Sequence, residues 1–345
     1  MVKRRLFVIN LRRKNIFLMI FSVITSLSLI LFIKNIMFVS AEENKKFIKY
    51  VEFNPCFEAL EKAMNLDIKS HNENDEIKID WIEILAYLGT KYGGDFKKYK
   101  SSDIDNFVNK TKNNQKEDLL RNLSSKSYNY YKEAYGTVLR EFLGNHKIQK
   151  YDSNNNLVWE EVYGLKAFSP IAKTFPFSHY SDFGAARSYG YSRPHLGHDM
   201  MCATGTPVIA VESGTVEVMG WNRYGGWRIG IRSFDKKRYY YYAHLRQNRP
   251  FRAGLKEQDT VKAGDVIGYV GRTGYSTKEN VNNIDKSHLH WGLELIFDES
   301  QKESDNEIWI DLYAITKLLE KNKYSVIRDQ TTKEYSREFD FCDNY

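Results

Sequence analysis

Near residue 290 the chain reads DKSHLHWGLEL, with His288 and His290 one residue apart. In a strand, residues i and i+2 share a face, so both imidazoles point the same way while Leu289 points to the other. A neutral imidazole can ligate a metal or carry a proton. Two other stretches hold matching chemistry: RPHLGHDMM contains His195 and Asp199, and YYAHL contains His244. A catalytic zinc site takes three protein ligands and keeps a fourth position open for water. His, Asp and His fill that need, and two more histidines then remain for proton transfer and oxyanion stabilisation. The same residues also suit exposed strand positions, and spacing alone does not bring the three stretches together.

The elements that must position these residues are legible as an α+β order. Residues 42–146 read as a small helical domain or stalk with no chemistry assigned. There Asn54 and Pro55 are expected to start a helix, Asp80 and Glu83 a second one ending at Gly93–Gly94. Tyr128, Tyr131, Tyr135, Val138 and Phe142 form one helical stripe, expected as core, with Gly144 as the stop. From 147 to 325 the pattern becomes β-rich, beginning with a hairpin around Asp152–Asn156 and closing with a helical stretch, IWIDLYAITKLLEKNK. Gly225 and Gly226 are expected to supply positive φ at a turn. Of Tyr239–Tyr242, two should lie on each face of a strand. Residues 326–345 read as a polar tail, and no repeat of solenoid period is present.

The net charge of +7 is concentrated at one end: residues 1–41 hold seven cations and no acid, so the remainder sums to zero. No basic run is left to support nucleic-acid binding. Ile16–Ile33 is an uncharged stretch of 18 residues behind six cations, long enough to span a bilayer. Segment 1–41 therefore reads as a cytoplasmic basic tail and single-pass anchor, with the rest of the chain outside the cytoplasm. The competing reading is a cleaved signal peptide and a secreted product. The three cysteines, Cys56, Cys202 and Cys342, have no CxxC spacing and do not suggest a disulfide framework.

Taken together, HLGHD at 195–199, GTPVIAVESGTV at 205–216, YAHL at 242–245, VKAGDVIGYVGRTG at 261–274 and HLHWGLEL at 288–295 resemble the lysostaphin-type zinc endopeptidases. The resemblance spans about residues 180–315, in family order. It implies a small antiparallel β-sheet groove and hydrolysis of peptide bonds in bacterial peptidoglycan. It implies one zinc ion held by His195, Asp199 and His290, with His288 and His244 doing acid–base work or steadying the transition state. The chain departs from the family at 275–287, where a longer segment beside the cleft is expected to reshape substrate access. It also departs at His198, where an apolar residue is usual and where an extended strand would turn the side chain away from Asp199. Arg193 reads as a substrate-carboxylate binder or a surface ion-pair partner, and Asp182 as a turn residue. A catalytically silent, membrane-anchored scaffold of the same fold is the alternative function. A biotinyl- or lipoyl-type carrier is disfavoured, because Lys236–Lys237, between the two hairpin segments, lacks the flanking pattern of a carrier lysine.

Overall fold

The computed structural model describes residues 47–73, 75–302 and 304–343. The expected anchor at 1–41 lies outside them, and among the described residues no helix is long and apolar enough to cross a membrane. The helical part comprises α1 (Phe57–Asn72), α2 (Trp81–Tyr92), α3 (Ser101–Lys112), α4 (Lys116–Leu120) and α5 (Ser125–Leu139). Asp80 starts α2 by accepting hydrogen bonds from the Ile82 and Glu83 amides at 2.7 and 3.4 Å, and left-handed Gly93 ends it. Glu83 does not close a capping box; it binds Lys116 and Lys132 at 2.8 and 2.6 Å, tying α2 to α4 and α5. Gly89 lets α2 and α5 pack closely, since a Cβ there would sit 3.0 Å from the Tyr131 ring. Asn54 is not the cap of α1. That helix begins at Phe57 after Cys56, and the Asn54 amide donates to the Gly94 carbonyl instead.

Strands β1 (Leu143–Tyr151) and β2 (Leu157–Leu165) form the expected hairpin, whose turn is closed by Asp152 accepting from the Asn154 and Asn156 amides. Gly144 lies inside β1; α5 ends at Leu139 and passes through a 3₁₀ turn at Arg140–Phe142. The main sheet draws on β3 (Ser178–Tyr180), β6 (His198–Met201), β8 (Gly214–Asn222), β9 (Gly226–Ser233), β10 (Arg238–Ala243), β11 (Thr260–Val261), β13 (His288–Leu295) and β14 (Ile308–Trp309). Its order is β11-β8-β9-β10-β13-β6-β3, with β14 also paired to β13, and every pairing is antiparallel. Short hairpins complete the β part: β4 (Ala186–Arg187) with β5 (Arg193–Pro194), and β7 (Pro207–Ile209) with β12 (Val266–Tyr269).

The C-terminal helix is shorter than expected. Ile308–Trp309 of that stretch joins the sheet, and only α6 (Tyr313–Leu319) is helical. Nor is 326–345 merely a polar tail. It supplies β15 (Val326–Arg328), β16 (Tyr335–Arg337) and β17 (Phe341–Asp343), and β17 pairs with β1. The reason is Phe341: it is fully buried in a core with Phe168, Ile209, Val266, Tyr269 and Tyr324, and its burial outweighs the polar residues around it.

Residues 49–343 form one compact unit. Two buried polar ties join helices to sheets within it. Asp67 of α1 accepts from the Trp81 amide at 2.9 Å and from the Tyr163 hydroxyl of β2 at 2.7 Å. Arg238 of β10, 1% exposed, forms a bidentate pair with Glu212 at 2.8 and 2.9 Å and donates to the Thr137 carbonyl of α5 at 2.6 Å. The three cysteines are unpaired and half-buried.

Candidate active site

The register of the central sheet builds the site. Ala243 of β10 faces His290 of β13, and His290 faces Asp199 of β6. Leu289 and Trp291, on the other face, are fully buried and fix which way His288 and His290 point. His195 reaches the same place from the segment between β5 and β6, pinned by its amide donating to the Ala185 carbonyl at 2.8 Å. Gly197 makes this possible: a Cβ there would lie 2.5 Å from His290 Cε1 and 2.8 Å from the Trp291 carbonyl oxygen.

His195 Nε2 lies 3.1 Å from Asp199 Oδ1 and 2.9 Å from His290 Nδ1, and His290 Nδ1 lies 2.9 Å from Asp199 Oδ1. His195 and Asp199 are buried, 5% and 7% exposed, and His290 is partly buried. Burial alone would raise the Asp199 pKa, but the hydrogen bonds from His195 and His290 outweigh it and hold the carboxylate ionised. Burial pushes the His290 pKa down, against the pull of Asp199, and so favours the neutral imidazole. On the far side of the His195 ring, Nδ1 lies 2.7 Å from Asp182 Oδ1. That contact lacks good hydrogen-bond alignment, and it sets the Asp182 carboxylate directly behind the ring. Arg187 holds Asp182 Oδ2 at 2.6 Å and approaches Asp199 Oδ2 at 3.6 Å.

This donor set fits a zinc ion. His195 Nε2, His290 Nδ1 and Asp199 Oδ1 converge on one another, two imidazole nitrogens and one carboxylate oxygen of the kinds that zinc takes. Ligand atoms of a tetrahedral site with bonds of about 2.0–2.1 Å lie roughly 3.3 Å apart, close to the spacing here.

His244 and His288 stand beside this triangle, their ring centroids 4.8 Å apart. Each is fixed through Nδ1, which faces a carbonyl: Thr273 at 2.9 Å for His244 and Lys286 at 2.8 Å for His288. Each Nδ1 therefore donates, leaving an Nε2 lone pair on the neutral ring. His288 Nε2 lies 3.8 Å from Asp199 Oδ1. His244 sits at φ 60°, a left-handed conformation that costs a non-glycine residue energy. Burial, followed by the charges of His288 and His290, pushes its pKa well below the usual value.

Around these residues runs a groove of about 680 Å³, lined by both Arg193 and Arg228 as well as the five site residues. Tyr239 and Tyr241 face it, while Tyr240 and Tyr242 are buried in the core, as the alternation of β10 requires. Tyr275 and 283–286, at the two ends of the long segment 275–287, also line it. Hydrogen bonds hold this segment to the body: Trp227 donates to Asn280 at 2.9 Å and Arg272 to the Asp285 carbonyl at 3.0 Å. Only Gly226 of the glycine pair has positive φ; Gly225 is needed because the Tyr241 hydroxyl leaves no room for a Cβ. His198 faces away from the site. Its Nε2 lies 2.8 Å from His179 Nδ1, and His179 Nε2 lies 2.8 Å from Glu320. Burial, with His179 next, pushes the His198 pKa down to about 4.

Sequence reasoning missed three contributors. Asp182 reads as a turn residue, and nothing in its spacing from His195 marks it. Arg187 and Arg228 carry no motif.

Residues 193–304 match peptidase family M23. Over a longer stretch, 240 residues, the chain is 34% identical to the L-Ala–D-Glu endopeptidase of Bacillus subtilis (strain 168), covering 66% of this chain and 67% of that protein. The chain belongs to peptidase family M23. Lysostaphin of Staphylococcus staphylolyticus is 39% identical over 89 residues, which are 26% of this M23 chain but 18% of lysostaphin. A crystal structure from Ruminococcus gnavus ATCC 29149, described as that of a glycyl-glycine endopeptidase LytM, shares the fold. It superposes with a TM-score of 0.51 at 20% identity, covering 81% of this chain and 92% of that one. The M23 match contains the whole cluster from His195 to His290.

Proposed function

We propose that this M23 peptidase is a zinc-dependent endopeptidase that hydrolyses peptide bonds of bacterial peptidoglycan outside the cytoplasm. The observation that carries the reading is the meeting of His195, Asp199 and His290 within 4.8 Å in a groove that His244 and His288 also line. His195, Asp199 and His290 would hold one zinc ion. When bound, that ion supplies Lewis acidity, which polarises a scissile carbonyl and lowers the pKa of water toward about 7.

The protein residues do the rest. His195 is oriented by Asp182, and His290 by the strand register that sets it opposite Asp199. His244 and His288 handle the proton. An Nε2 lone pair accepts it as water adds to the carbonyl and returns it to the nitrogen as the C–N bond breaks. In its protonated form the same imidazole is a donor for the oxyanion. Segment 275–287 sets access along one wall of the groove. Residues 1–41 would anchor the chain in the cell membrane, or be cleaved to release it.

The test is digestion of purified cell walls with zinc-loaded protein, reading released muropeptides by mass spectrometry. Cleavage at a peptide bond, abolished by chelator and restored by zinc, is the expected result. Zinc-loaded protein that releases no peptide from any wall type would return the scaffold reading.

A further inference from the structure

We propose that Arg228 and Arg193 form a carboxylate-binding subsite in the groove, so that the substrate carries a free carboxylate on a residue next to the scissile bond. This rests on the endopeptidase reading above and names its substrate class. Ile229 of β9 faces Tyr242 of β10. Carrying that register one residue on sets Arg228 opposite Ala243, which itself faces His290. Arg228 and His290 thus share one row of the sheet, two strand spacings or about 10 Å apart, with a methyl side chain at the position between them.

Among the described residues the charge on Arg228 has no ion-pair partner. Its Nε is buried without a hydrogen-bond partner among the described residues, and no ion pair engages it. Arg193 is similarly uncompensated but well held. Its Nη1 donates to the Tyr189 carbonyl at 2.9 Å, and its guanidinium stacks 4.4 Å from the Tyr224 ring and 5.5 Å from that of Tyr275. Arg187, by contrast, is already paired to Asp182. Arg228 and Arg193 both line the same groove as Tyr241 and His290. Partly buried guanidinium groups without an anion are costly, and a buried donor without a partner calls for an explanation. A planar guanidinium fork matches a carboxylate better than any neutral group of a peptide. A substrate of glycine alone would leave both charges unmatched.

Two peptides test this: an acylated L-Ala–D-Glu peptide with one free carboxylate, and its L-Ala–D-Gln counterpart. Zinc-loaded protein should favour the acid over the amide by about 10- to 100-fold in kcat/KM, the usual weight of a charge-assisted hydrogen bond. Arg228→Gln and Arg193→Gln should each shrink that preference, the double variant to within about threefold, while Arg228→Lys keeps part of it. Equal cleavage of both peptides by the unmodified protein overturns the subsite, as does an undiminished preference in the double variant. If neither peptide nor cell wall is cleaved, the endopeptidase reading fails separately. Calorimetric binding of the same two peptides then decides the subsite: tighter binding of the acid, lost in Arg228→Gln, supports it, and equal binding overturns it.

Discussion

Asp182 Oδ1 lies 2.7 Å from Nδ1 of His195, the ring nitrogen turned away from Asp199 and His290. A carboxylate behind a metal-binding histidine fixes its tautomer and raises its basicity. Asp182→Asn should therefore lower zinc affinity by about 10- to 100-fold in a chelator competition. Affinity equal to that of the unmodified chain would show that Asp182 only shapes its turn.

His290 and His288 should separate in one experiment. His290→Ala and Asp199→Ala remove proposed ligand atoms and are expected to leave the purified protein without stoichiometric zinc. His288→Ala should keep its zinc and lose about 10²- to 10⁴-fold in hydrolysis rate, the usual range for a general acid–base group. Full hydrolysis by His288→Ala would move the proton-handling role to His244 alone.

The left-handed backbone of His244 has a measurable cost. A side chain there costs about 1–2 kcal/mol, while glycine gives back about 0.5–1 kcal/mol in unfolded-state entropy. With the imidazole gone from both, His244→Gly should be more stable than His244→Ala by about 0.5–1 kcal/mol in denaturant unfolding. The reverse order would mean that the φ of 60° relaxes freely.

Glu212 and Arg238 are 2% and 1% exposed and hydrogen-bonded to each other twice. Removing Glu212 takes away the bidentate partner and leaves Arg238 the partly exposed Asp235, 3.1 Å from its Nη2. Glu212→Ala should cost about 3–5 kcal/mol, read from the urea midpoint. A loss below about 1 kcal/mol would show that water reaches Arg238.

His146 gives a pH dependence away from the groove. Burial, then the Lys166 charge, pushes its pKa below the ordinary 6.5. The unfolded chain thus takes up this proton at a higher pH than the folded one. Its stabilising effect is complete above about pH 6.5 and is lost as pH falls below that value. His146→Phe, which keeps an aromatic ring beside Phe341, should lose less stability between pH 7 and pH 5 than the unmodified chain. Parallel curves for the two proteins would remove His146 as a source of acid sensitivity.

The sequence was most informative where a single strand carries the information. Alternation in HLHWGLEL predicts which side chains share a face, and β13 follows it. The same logic sorts Tyr239–Tyr242 correctly. What brings His195, Asp199, His244 and His290 together is strand order, which no spacing within one stretch reveals; the family resemblance supplied that order. Asp182 and Arg228 stayed hidden because their roles arise from contacts across the fold. The helix boundaries missed at Asn54 and Gly144 reflect tertiary bonds, to Gly94 and within the β1–β2 hairpin, that override local capping preferences.

The pairing of β17 with β1 also sets a clock for biogenesis. His146 pairs with Asp343, so 197 residues separate the two partners. At about 5–20 residues per second, a ribosome needs roughly 10–40 s to supply the missing strand. Throughout that interval the hairpin has an open edge, and the site for Phe341 lacks its ring. A chain of this design is best kept unfolded, or shielded by a holding factor, until its closing strand has been made.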